Sequence, residues 1–179
     1  MSSKLDSSKL ISTPLRSWEL LSITTNHLEE FEKRLEVENC TLRYYYYVCK
    51  YCLSKDKEIE HWCLIAIKYF ESLPFHHSAY ESVFKKYIIT YYKEQGEIQK
   101  AISMVTSFLS KVGYGDGVWM RYIFIYTELL IESEQFDLAN QKYQEVITLP
   151  LYCELPEDKK AERGALKQII NQSIYVNKR

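Results

Sequence analysis

Three segments of this chain carry the same helical signature at a fixed interval. In each, a small residue is followed four and seven positions later by bulky apolar ones: Cys63, Ile67 and Phe70; Ala101, Val105 and Phe108; Ala139, Tyr143 and Val146. The small residues stand 38 positions apart on both occasions. On a helix these positions share one face, so each segment predicts a helix that approaches a neighbour closely at the small residue and fills a groove with the later two. Each is preceded by an aromatic-rich stretch of helical length and a short polar turn. The repeat unit is therefore a helical hairpin, which cannot bury its faces alone and becomes stable by stacking on further copies.

Composition agrees with an all-α chain. Five Gly and four Pro among 179 residues leave little turn chemistry, while apolar residues reach 46% and aromatics 15%. Collagen-like, low-complexity and many-turned all-β classes are excluded on that ground. Lys and Arg total 23 against 24 Asp and Glu, a formal charge of −1, so no global field draws the chain to nucleic acid or to an anionic membrane. The longest uncharged stretch, 101–110, is far shorter than the ~18 residues that would suggest a membrane span. The first ten residues lack an apolar signal core. A cytoplasmic or nuclear location is the expectation.

Outside the repeats, residues 1–12 are expected to form a disordered arm. A single helical domain follows over 13–175, and 176–179 form a frayed end. Thr13 and Pro14 suit an N-cap and first helical position, and Leu15, Trp18, Leu21, Leu28, Phe31 and Leu35 repeat at helical spacing, predicting a first helix to about Glu38. The pattern Asn26-x-x-Glu29 resembles a capping box and allows two shorter helices instead. Pro74 and Pro150 are read as stops of the first and third hairpins. In the last segment, 157–175, Leu166, Ile169, Ile170 and Ile174 form a stripe that would close the open end of the stack.

Five cysteines, an odd number without a secretion signal, argue against a disulfide framework. Cys49-x-x-Cys52 has the spacing of a redox dithiol or half a zinc site, but lacks a second Cys pair or a preceding strand, so buried small side chains are the reading preferred. Gly113-x-Gly115-x-Gly117 lacks the strand and the Gly-Lys-Ser/Thr ending of a phosphate loop; it reads as a connection, with Asp116 as a turn residue or cap. The adjacent His76 and His77 cannot face one metal as an i, i+4 pair would. No nucleophile elbow, HExxH or Walker-type motif is present, so an enzyme is not expected and no cofactor or metal is implied.

In the middle unit Ile88, Tyr92, Gly96, Ile98, Ala101 and Ile102 fall at the spacings of the leucine, tyrosine, turn glycine, turn aromatic and alanine–aliphatic positions of the tetratricopeptide family. This segment resembles a degenerate repeat of that family. The third unit matches through Tyr126, Phe136, Ala139, Tyr143 and Pro150, and the first through its small residue and proline. Ile89 and Thr127 stand where the family prefers glycine, Val105 replaces an aromatic, and the period exceeds the usual ~34. The resemblance implies a short right-handed α-solenoid of about three hairpins with flanking N- and C-terminal helices. It also implies a groove lined by Val83, Lys86, Thr90 and Lys93 from the middle unit and by Arg121, Phe124 and Glu128 from the third. Thr90 and Glu94 stand where members that clamp chaperone carboxylates would carry asparagines.

A second surface was expected around Tyr44-Tyr45-Tyr46-Tyr47. Four consecutive residues on a helix point in four directions, so one or two should be exposed as partner anchors, with Tyr45 and Tyr46 named for that role. The function these features imply is a non-catalytic adaptor or scaffold subunit that binds a peptide or helix from a protein of a larger complex. An alternative is base stacking on tyrosines interleaved with Arg43, Lys85, Lys86, Lys93 and Arg121, as in single-strand or RNA-binding helical repeats. The helix order also looks loosely like the soluble part of tail-anchored peroxisomal adaptors that recruit ATPases, without a tail anchor. The oligomeric state is not predicted.

Overall fold

The computed structural model describes Leu28, Glu29, Glu32 and residues 40–73 and 78–177, and every regular element among them is a helix. Their order is α1 (Cys40–Leu53), α2 (Lys57–Ser72), α3 (Ser78–Glu94), α4 (Ile98–Leu109), α5 (Gly117–Glu132), α6 (Phe136–Ile147), α7 (Pro150–Cys153) and α8 (Glu157–Asn177). Leu28, Glu29 and Glu32 are themselves helical. The arm at 1–12, most of the helix expected over 13–38, Pro74, the His76-His77 connection and the last two residues lie outside the described residues. None of the described helices is long and apolar enough to cross a membrane.

The chain divides into two compact units, Met1–Phe84 and Lys85–Arg179, with the boundary inside α3. In the first, α1 packs on α2. Its interior is aromatic: Tyr44 stacks on Tyr80 with ring centres 4.5 Å apart, and Phe70 stacks on Phe84 at 5.9 Å. Tyr47 meets Phe70 and Phe84 edge-on. Such offset and edge geometries bring the positive rim of one ring to the negative face of another.

In the second unit α5 packs against both α4 and α6, and α8 lies against α5 and α6. The core gathers Trp119, Met120, Ile123 and Phe124 from α5, Ala139, Tyr143 and Val146 from α6, and Ile170 from α8. All nine residues of the repeated small–bulky–bulky signature are buried. Cys63, Ala101 and Ala139 thus lie in the interior of three separate helices, each on a buried face with its two bulky partners.

The turns follow the local chemistry. Gly96 takes a left-handed backbone (φ 74°) after α3, where its N–H donates to the Lys93 carbonyl and the Glu97 N–H reaches back to the Tyr92 carbonyl at 2.8 Å. This is the Schellman arrangement that satisfies carbonyls at a helix end. The next hairpin repeats it, with Glu134 at φ 60° and the Gln135 N–H donating to the Leu130 carbonyl at 2.8 Å. Asp116 caps α5, its carboxylate accepting the Trp119 N–H at 2.6 Å, and Gly115 (φ 81°) turns the chain ahead of it. Pro150 does not merely end α6, which stops at Ile147; its fixed φ opens the single turn α7. On α8, Ile170 is buried and Leu166 and Ile174 pack against the core, but Ile169 is exposed. The expected stripe is one residue too wide, because Ile169 lies a full helical step around from Ile170.

Candidate partner-binding grooves

Lys86, Thr90 and Lys93 recur along α3 at spacings of four and three, which places them on one face. With Ile89 and Glu94 from α3 and Ile125, Glu128 and Leu129 from α5, they line a groove of about 300 Å³. The floor is aliphatic and the rim is charged. Lys93 is ion-paired with Glu132, while Glu128 meets Arg163 of α8 at 3.6 Å. Burial holds the Glu128 carboxyl above its usual range, although the nearby Lys93 and Arg163 charges pull it down. Four of the expected site residues, Lys86, Thr90, Lys93 and Glu128, thus come together.

Arg121 and Phe124 sit elsewhere. They border a second, larger cavity of about 650 Å³, together with Met120 of α5, Leu151 and Leu155 beyond α6, and Lys159 and Arg163 of α8. Phe124 was expected to present itself to a partner, yet it is 1% exposed. The chain itself occupies the ring: the Arg163 guanidinium lies 4.8 Å over it, and Tyr143 and Tyr152 pack around it at 6.3 and 6.1 Å. Phe124 is therefore a core residue under the cavity. Arg121 is exposed.

The tyrosine run does not form the exposed surface expected of it. None of Tyr44–Tyr47 is fully exposed: Tyr45 is 4% exposed within a cluster with Leu42 and Cys49, and Tyr47 is buried. The reason is that α1 is flanked on several sides, by α2, by the first turns of α3 and by the segment carrying Leu28 and Glu32, so each direction finds a neighbour. Tyr46 is half-buried and already engaged. Its hydroxyl donates to the Glu32 carboxylate at 3.4 Å, and Lys50 pairs with the same carboxylate at 2.9 Å while lying over the Tyr46 and Trp62 rings. The hydrogen bond and charge of Lys50 hold the Glu32 carboxyl below its usual range. The tyrosines that do face solvent are Tyr114, 71% exposed, and Tyr175.

Two of the basic residues named for nucleic acid are also spent inside the fold. Lys85 is buried with its ammonium 4.4 Å from the Phe108 ring centre, and Arg43 lies 5.1 Å over Tyr69. Cys49 is buried, and desolvation pushes its thiol up to about 12, as it does for Cys63. Buried thiols held protonated in this way are poor nucleophiles.

The sequence reading missed Lys159, Arg163, Leu151 and Leu155 as groove residues. For Lys159 and Arg163 the spacing carried a signal, since they stand four apart on one face of α8, whereas Leu155 lies in the bend after α7 and no helical spacing points to it. Comparison with protein families, characterised proteins and solved structures finds no match to this chain.

Proposed function

We propose that this chain is a non-catalytic adaptor built from tetratricopeptide-like hairpins, holding a segment of a partner protein in the groove between α3 and α5. The observation that carries this reading is the convergence of Lys86, Thr90, Lys93 and Glu128 around the aliphatic floor of Ile89, Ile125 and Leu129. An apolar floor gives affinity by burial, and charged groups on the rim orient the bound segment. The floor is too small for a folded domain and open enough for a few side chains of a peptide or helix.

Peptide binding is favoured over base stacking by what the cations and rings already do. Arg43, Lys50 and Lys85 lie over rings of this same chain, and the tyrosine run is packed. A single-strand platform needs exposed rings beside free cations.

A photo-crosslinking residue at Thr90, an exposed position, tests the reading in extract from the protein's own source. Expected are crosslinked proteins that persist after nuclease treatment and disappear when Lys86 and Lys93 are both changed to Glu. Crosslinks lost with nuclease, or unaffected by the two charge reversals, would refute the groove as a protein site.

A further inference from the structure

The second cavity differs from the first in its charge. Its rim carries Arg121, Lys159 and Arg163 against one carboxylate, Asp116, and its floor is apolar, with Met120, Phe124, Leu151 and Leu155. The Asp116 carboxylate is already used in capping α5. We propose that this cavity docks an acidic segment of a partner protein, anchored by one bulky apolar side chain and held through its carboxylates by Arg121, Lys159 and Arg163. The inference rests on the adaptor reading and adds to it the chemistry of the bound segment.

The three cations are available to different degrees. Arg121 is exposed and has no ion-pair partner among the described residues. Lys159 pairs with Glu162 at 3.1 Å, but both side chains are more than half exposed, and such a pair gains little over its solvated state. Arg163 is held most firmly: its guanidinium lies over Phe124 and meets Glu128 at 3.6 Å. A planar guanidinium fixed on a ring keeps its donor edges in one orientation, which suits the fork geometry of a carboxylate. Lys159 and Arg163 stand one helical turn apart on α8, with Arg121 facing them from α5, so an acidic segment lying between the helices finds cations on both sides. A basic segment would meet like charge on both walls.

The cavity's volume, about 650 Å³, falls within the range of well-formed ligand sites. Carboxylates alone would leave the apolar floor wet. An apolar anchor seated on Met120, Leu151 and Leu155 removes that surface from water and supplies affinity that the exposed cations do not.

Selection of a displayed library of random short peptides on the full-length chain tests the proposal. Enrichment of Asp and Glu together with a Leu, Phe or Trp is expected, with Lys and Arg depleted. A synthetic peptide of the selected sequence should bind more weakly as salt rises, and Arg121→Glu should weaken it about tenfold, the equivalent of one charged contact. Lys86→Glu, in the other groove, should leave its affinity unchanged. Circular dichroism of Arg121→Glu establishes that the variant is folded. Selection without acidic bias overturns the proposal. So does a peptide that depends on Lys86 and ignores Arg121, which would leave the adaptor reading standing with its site between α3 and α5. Displacement of the peptide by polyuridine, in an Arg121-dependent manner and at lower concentration than the peptide itself, would assign the surface to nucleic acid. If no peptide is selected, the acidic-segment proposal fails, while the Thr90 crosslink still decides the groove.

Discussion

At the scale of single residues, the 38-residue period exposes a conformational mismatch. Gly96 and Glu134 occupy the same place in successive hairpins and share a left-handed backbone and the same pair of reverse-turn hydrogen bonds. A side chain at that backbone costs about 1 kcal/mol or more, which glycine avoids. Glu134→Gly is therefore expected to raise the melting temperature, and Gly96→Ala to lower it. A Cβ at Gly96 would meet nothing within 4 Å, so the second effect is one of backbone strain and not of collision. Thermal denaturation of the two variants beside the parent checks both signs. The cysteines offer a second test. Cys49 and Cys63 are buried with strongly raised thiols, whereas Cys52 and Cys153 are exposed. Under native conditions Cys52 and Cys153 should react with a chromogenic disulfide reagent, and Cys49 and Cys63 only after denaturant is added; mass spectrometry of the labelled sites reads this directly.

At the scale of elements, Ala101 on α4 and Ala139 on α6 are both fully buried and leave no room for a larger side chain without rearrangement. Enlarging either side chain must push two helices apart or force strained rotamers. Ala101→Leu and Ala139→Leu are each expected to cost about 1–3 kcal/mol in urea denaturation, against little effect of Ala165→Leu on the exposed side of α8. The start of α5 depends on a single cap. Asp116→Ala removes the acceptor for the Trp119 N–H and should cost about 1 kcal/mol. A loss in that range would also weaken the second cavity, since Arg121 and Phe124 stand on the first turns of the capped helix.

For the whole molecule, stability as a function of pH reports on Glu128. Burial raises its carboxyl above the ordinary 4.5, so the folded chain binds a proton more readily than the unfolded chain does. Stability from this group falls as pH rises from its ordinary value through the raised one, and the penalty is constant above. Glu128→Gln should accordingly raise the melting temperature at neutral pH and leave it unchanged at pH below the ordinary value. A melting series across that range would show the difference between variant and parent opening as pH increases. If the difference were the same at every pH, the ionised carboxylate would be fully compensated by Lys93 and Arg163.

Helix, turn and core were legible in the sequence because they follow from local chemistry. The small–bulky–bulky signature named nine residues that are buried, Asp116 was read as a turn residue or cap and caps α5, and Gly96, matched to a turn glycine, stands in the turn after α3. Lys86, Thr90, Lys93 and Glu128 were named through the resemblance to tetratricopeptide hairpins, and they line one groove. The tertiary structure decided accessibility. Which sides of a helix are covered depends on how many neighbours it has, and no spacing rule counts them: Tyr45 and Phe124 were expected outside and are inside, and Lys85 is buried against Phe108. It also decided which distant residues share a wall, as Lys159 and Arg163 do with Arg121. Periodicity orients side chains about one helix axis; only packing sets what each of them faces.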